Sequence, residues 1–159
     1  MKPILLIMAL SISFCAYSND TLNNCRSYYY GVCLNETPIQ DFNEYLELHK
    51  DNKEASIQGY HSVIWFLWAD YYFNPFKKWN CFLKGKDKLE HLINNYSNNI
   101  ELRFLRLTIQ ENLPKILGYN ENINEDKTFI NKNLHLVSDQ DLFSRITNYL
   151  DDQKLTNTD

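Results

Sequence analysis

The sequence predicts an all-α fold of stacked antiparallel helical hairpins, with about six to seven helices. Three observations predict it. Apolar residues recur at spacings of three and four almost throughout, as in Leu22, Cys25, Tyr29, Val32 and Cys33. No strand-like alternation is sustained, and the chain holds only 4 glycines and 4 prolines to break helices. Capping residues recur between the periodic blocks, at Thr37-Pro38, Asn98-Asn99 and Ser138-Asp139, and Asn74-Pro75 is a helix stop.

The first eighteen residues read as a leader, residues 1–18. Lys2 is its basic end, and Ile4 to Cys15 is apolar apart from two serines. Ala16-Tyr17-Ser18 places small residues for cleavage before Asn19. The expected location is outside the cytoplasm, periplasmic or secreted. The rival is a lipoprotein anchored through Cys15, although Phe14 is large for a lipidation signal. Residues 19–155 are expected to form a single all-α domain and 156–159 a disordered tail, because about 140 residues suit one core.

Residues 21 to 34 form the first expected helix. Thr37-Pro38-Ile39-Gln40 then reads as a capping box for a helix burying Ile39, Phe42, Tyr45 and Leu46. The following helix, from Glu54 to Phe73, carries VIWFLW (Val63 to Trp68), which is apolar on all sides. It is expected to be the central core helix, with Trp65, Leu67 or Trp68 among the most buried residues. Asp70 interrupts the apolar run, so no membrane span is expected in the mature chain. Asn74-Pro75 is expected to end this helix.

Trp79, Phe82, Leu83, Leu89, Leu92 and Ile93 mark a fourth helix. Gly85 inside it costs about 1 kcal/mol relative to alanine, and a closely crossing helix would explain it. The stretch ELRFLRLTIQENLPKILGYN, from Glu101 to Asn120, opens with a helix apolar on two sides. Leu102, Leu105, Ile109 and Leu113 gather on one side, and Ile100, Phe104 and Leu107 on the other. Such a helix packs against neighbours on both sides. Phe129, Ile130, Leu134 and Val137 mark a short helix, and Leu142, Phe143, Ile146, Tyr149 and Leu150 the last one.

The residues GKDKLEHLINNYSNNIELRFLRL, 85 to 107, resemble a tetratricopeptide-type junction. Gly85, Leu89 and Leu92 match the small–large–small positions of that family's second helix, and Ser97 stands where a turn proline is usual. Leu92 is larger than the family pattern, and NPFKKWN is longer than its tight turn. ELRFLRLTIQENLPKILGYN with NEDKTFI also resembles a group of small exported bacterial proteins of tetratricopeptide-like layout and no assigned activity. The resemblance implies a helical-repeat fold, with either an α-solenoid fragment or a compact bundle as its outcome. It implies no catalytic residue.

Charge and chemistry narrow the function. The chain has 16 basic and 20 acidic residues, and losing Lys2 with the leader takes the net charge from −4 to −5. Without clustered Lys and Arg, nucleic acid is not an expected partner. His49, His61, His91 and His135 fall in no metal-binding spacing, and no phosphate loop or nucleophile elbow occurs, so neither metal nor cofactor is expected. Cys25 and Cys33, about 12 Å apart along one helix, cannot pair with each other. Either can pair with Cys81, or all three serve as small hydrophobes.

Arg103, Arg106 and Gln110 lie between the two apolar faces. Two guanidinium groups and an amide there can hold a carboxylate such as a peptide terminus, with Tyr119 as a further contact. The competing reading pairs them with Glu111, Glu125 or Asp126 as a fastening between helices, with Tyr119 in the core. The aromatic set Trp65, Trp68, Tyr71, Tyr72, Phe73, Phe76 and Trp79 is expected to pack in the core rather than line a groove. The functional expectation is a non-enzymatic exported module that binds an unidentified protein or peptide. The alternatives are an enzyme using a polar site around His61 and Asp70, and a structural component of the envelope.

Overall fold

A computed structural model describes residues 20–156. The expected leader, the cut before Asn19 and residues 157–159 lie outside the described residues. Among the described residues the regular structure is helical, with no strand, as the periodicity predicts. The seven α-helices are α1 (20–33), α2 (Ile39–Leu48), α3 (Ala55–Tyr71), α4 (Pro75–Asn95), α5 (Ile100–Asn112), α6 (Ile123–Asn133) and α7 (Gln140–Thr156). Short 3-10 turns follow α5 and α6, at Lys115–Leu117 and Leu134–Leu136. The chain divides into two compact units, one up to Gly85 and one from Lys86.

In the first unit, α1 ends in a closed turn. Glu36 N–H donates to the Gly31 carbonyl and Asn35 N–H to the Val32 carbonyl, with Asn35 left-handed at φ 59°. This is the Schellman pattern, and asparagine tolerates the left-handed position. Thr37 belongs to this turn. A Cβ on Gly31 would fall 2.3 Å from Thr37 Oγ1, so only glycine lets the two approach. The expected capping box therefore does not form. Pro38 is the N-cap residue of α2 without a side-chain cap, and Gln40 Nε2 instead donates to Tyr71 Oη at 3.2 Å. The α1 stripe is buried at Leu22, Cys25 and Tyr29, but Cys33 is exposed. No disulfide joins the described cysteines Cys25, Cys33 and Cys81.

The core of this unit is built from rings. Tyr28 stacks on Tyr45 at 4.9 Å and on Phe42 at 6.0 Å, and Tyr60 meets Tyr29 and Phe42 edge-on. Helix α3 buries Ile57, Tyr60, Val63, Ile64 and Phe66. Trp65, Leu67 and Trp68 are only half-buried, contrary to expectation. The small residues Ser56, Gly59 and Ser62 are buried with that face, and Trp65 falls about 180° from Ser56 around the helix. VIWFLW carries no polar residue to mark its outer side. Phe66 also explains Gly85, where a Cβ would lie 2.8 Å from the Phe66 ring. Helix α3 stops at Tyr71, before Asn74-Pro75. That pair opens α4, with Asn74 Oδ1 accepting from the N–H groups of Phe76 and Lys77 at 3.0 and 3.1 Å.

The second unit is centred on α5. From Glu101 to Gln110 every residue except Arg103 is buried, so α5 and not α3 is the most enclosed helix. Its cap is the expected one: Asn99 Oδ1 accepts from Leu102 N–H at 3.0 Å. Leu113 takes an extended conformation before Pro114, and Gly118, left-handed at φ 62°, closes the 3-10 turn beyond. Helix α6 packs along α5, and Phe104 of α5 meets Tyr149 of α7 edge-on at 5.5 Å. Asp139 caps α7 through Leu142 N–H, and Leu142 and Ile146 are buried. Helix α7 runs through Thr156, into the stretch expected to be a disordered tail.

Candidate functional site

The strip on α5 meets the first turn of α6. That turn carries Glu125 and Asp126, where the amino-terminal end of a helix favours negative charge. Asp126 is fully buried and accepts three hydrogen bonds from guanidinium groups. Arg106 Nε reaches Oδ2 at 2.7 Å, Arg106 Nη2 reaches Oδ1 at 2.8 Å, and Arg103 Nη1 reaches Oδ1 at 2.9 Å. The Arg106 pair is bidentate, the strongest geometry open to these groups. Arg103 also donates to Glu125 Oε1 at 2.7 Å and, through Nε, to the Ser97 carbonyl at 2.8 Å. Gln110 exchanges two hydrogen bonds with Asn122, donating to Oδ1 at 3.2 Å and accepting from its N–H at 3.3 Å.

Helix α4 supplies the remaining member. Glu90 accepts from Arg106 Nη1 at 2.8 Å and from the Tyr119 hydroxyl at 2.5 Å. Lys86 Nζ stands 5.0 Å from the centre of the Tyr119 ring. All four candidate residues, Arg103, Arg106, Gln110 and Tyr119, thus lie in one neighbourhood, and each has partners within the protein. A ligand could reach Arg106 or Gln110 only by breaking these bonds. Of the acidic residues proposed from sequence, Glu125 and Asp126 are engaged. Glu111 serves other groups, Lys127 Nζ at 2.5 Å and the Tyr149 hydroxyl at 2.7 Å. Glu90 and Asn122 were not foreseen. Glu90 lies 16 residues before Arg106, and no local spacing announces the contact.

Electrostatics follow this arrangement. Burial by itself would lower the Arg106 pKa, but Asp126 and then Glu90 outweigh it and raise the pKa above the usual arginine range. Burial raises the Tyr119 pKa, and the hydrogen bond to Glu90 adds to the rise. Both shifts move away from neutrality, so Arg106 stays a cation and Tyr119 a neutral phenol. Neither is tuned as a general acid or base. Glu125 is lowered, chiefly by its bond to Arg103.

His61 and Asp70, the alternative polar site, stand nine positions apart on α3, about 13–14 Å along the axis. Asp70 is exposed and His61 half-buried, and the helix does not bring the two together. Among the described residues no group of three or more His, Cys, Asp or Glu side chains is placed to hold a metal ion.

A hollow of about 580 Å³ opens beside the clasp. Ile100, Phe129, Leu136 and Val137 give it apolar walls, Asn98 and Asn133 add amides, and Ser138 and Asp139 a hydroxyl and a carboxylate. The Arg103 guanidinium lies 4.4 Å from the centre of the Phe129 ring, so one side chain touches both clasp and hollow. No family model, no curated protein and no solved structure matches the chain. Its geometry defines a class, an all-α protein whose buried α5 is fastened to α4 and α6 by an ion-pair clasp. No helix among the described residues is long and apolar enough to cross a membrane.

Proposed function

We propose that this chain is an exported, tetratricopeptide-like helical module that binds a protein or peptide segment without performing chemistry. The leader-like composition of residues 1–18 supports export, and the junction at residues 85 to 107 supports the repeat-like layout. The observation that carries the binding reading is the hollow beside Arg103. It offers apolar walls for a side chain and amides for a backbone, the mixture that peptide recognition uses. The buried arginine strip serves as the scaffold that holds these walls, because its donors are already engaged.

Selection of a displayed random peptide library on the secreted protein tests this reading. Leu136 is 69% exposed, so Leu136→Asp should leave the fold intact while replacing an apolar wall of the hollow by a second carboxylate beside Asp139. Enriched peptides should bind the wild type and lose about tenfold or more in affinity on the variant. The melting temperature should not change. A selection that enriches nothing, or peptides that bind both forms equally, would overturn the proposal.

A further inference from the structure

The aromatic set at the α3–α4 junction is not core. Phe73 is 100% exposed, Phe76 79%, Tyr71 53%, Trp79 49% and Leu83 44%. Phe76, Trp79 and Leu83 follow one another at spacings of three and four, so they form a stripe along α4. The buried residues Cys81 and Gly85 of the same helix point roughly the other way, and buried Phe82 lies between, its ring 5.4 Å from that of Trp79. The first half of α4 therefore carries a second apolar face, which the first unit leaves in water.

Lys77 and Lys84 flank this face, while Lys78 projects from the start of α4 on its other side. Residues 71–85 contain Lys77, Lys78 and Lys84 and no carboxylate, in a chain whose net charge is −4; Asp70 and Asp87 lie just outside the stretch. Two of the cations are seated over rings at the same edge. Lys77 Nζ lies 5.2 Å from the Tyr72 ring centre, and Lys84 Nζ 3.5 Å from that of Trp65.

We propose that this edge docks on an anionic lipid bilayer surface, with Phe73, Phe76 and Trp79 at headgroup depth and the lysines against lipid phosphates. The composition decides between a bilayer and a protein partner. Aromatic residues with lysines are what a membrane interface selects. Protein interfaces are depleted in lysine and rely on pockets that match each protruding ring. A bilayer accepts a fully exposed ring such as Phe73 without a shaped socket. Attachment of this kind is peripheral. The proposal concerns the first unit and does not rest on the peptide-binding reading of the hollow in the second.

The test is co-sedimentation of the secreted protein with phosphatidylcholine vesicles, with and without phosphatidylglycerol. Quenching of tryptophan fluorescence by brominated lipid tails accompanies it. The protein should sediment with the anionic vesicles only, and added salt should release it. Lys77→Gln with Lys84→Gln should weaken sedimentation about tenfold. Phe73→Ser with Phe76→Ser should abolish the quenching while circular dichroism stays unchanged, since both rings are already exposed. Absence of sedimentation with anionic vesicles would overturn the proposal. So would sedimentation or quenching that neither pair of substitutions alters, or an acidic protein captured through these residues by a chain that ignores vesicles.

Discussion

The two units are held together by different kinds of force. The first stacks rings: Tyr28, Phe42, Tyr45 and Tyr60 meet at 4.9 to 6.5 Å, and each contact is shared among several neighbours. The second encloses a helix that carries charge, and closes it with three guanidinium–carboxylate bonds on the buried Asp126. Ring packing degrades gradually, because a lost contact leaves others in place. A buried ion pair does not, because removing one partner leaves the other charged and out of water. The Asp126 clasp should therefore be more sensitive to a single substitution than any one ring contact of the first unit.

The largest expected effect tests that contrast directly. Asp126→Ala removes both bidentate bonds of Arg106, whose side chain is 4% exposed, and leaves it Glu90 as its one carboxylate partner; the loss should be about 3 kcal/mol in urea unfolding. Replacing both with apolar residues of similar volume, Arg106→Met with Asp126→Leu, should recover part of that loss, since neither member of the fully buried pair remains, while Glu90 keeps its hydrogen bond from Tyr119 and Arg103 its bond to Glu125. A single substitution that costs less than about 1 kcal/mol would show that water reaches the pair.

An intermediate effect is expected at Gly85 in the first unit. The Cβ of Gly85→Ala would meet the Phe66 ring at 2.8 Å, closer than carbon atoms pack. The helix-propensity gain of about 1 kcal/mol works in the opposite direction. Overpacking should win, with a net loss of roughly 1–2 kcal/mol in thermal unfolding. Adding Phe66→Leu, which shortens the obstructing side chain, should make the alanine neutral or stabilising relative to glycine in the same background. If Gly85→Ala stabilises the wild type, the close crossing of α3 and α4 at this point is wrong.

These two sites also show what was legible in sequence. Gly85, the Asn99 and Asp139 caps, and the pairing of the arginine strip with Glu125 or Asp126 all follow from local rules: a glycine inside a helix, an oxygen before a helix, charges one helix apart. The burial of α5 followed from its two apolar faces. The misreadings share a different cause. VIWFLW and the aromatic run after it are apolar enough for any face, so hydrophobicity alone could not say which rings turn outward. The spacing of Thr37 to Gln40 fits a capping box, yet Gly31 draws Thr37 into the preceding turn. Glu90 had no local signature at all, since it meets Arg106 and Tyr119 only after α4 and α5 have packed.

The smallest effect should come from the outer edge of the clasp. Glu125 shares Arg103 with Asp126, but its side chain is 59% exposed, whereas Asp126 is sealed. Its carboxyl is held below the ordinary value of 4.5, first by the hydrogen bond from Arg103. A carboxyl with a depressed folded pKa contributes stability that is complete above its unfolded value. That contribution is lost as the pH falls through the folded one. Glu125→Gln should therefore lower stability at neutral pH, by under about 1 kcal/mol because solvent screens an exposed pair. The difference between variant and wild type should shrink as the pH is taken below 4.5 and vanish once Glu125 is protonated in both states. High salt at neutral pH should shrink it as well, while leaving the loss at Asp126→Ala nearly unchanged, because the buried pair is out of reach of counterions. Equal salt sensitivity at the two positions would mean that the clasp is solvated throughout and that the contrast between a ring-packed and a charge-closed unit does not hold.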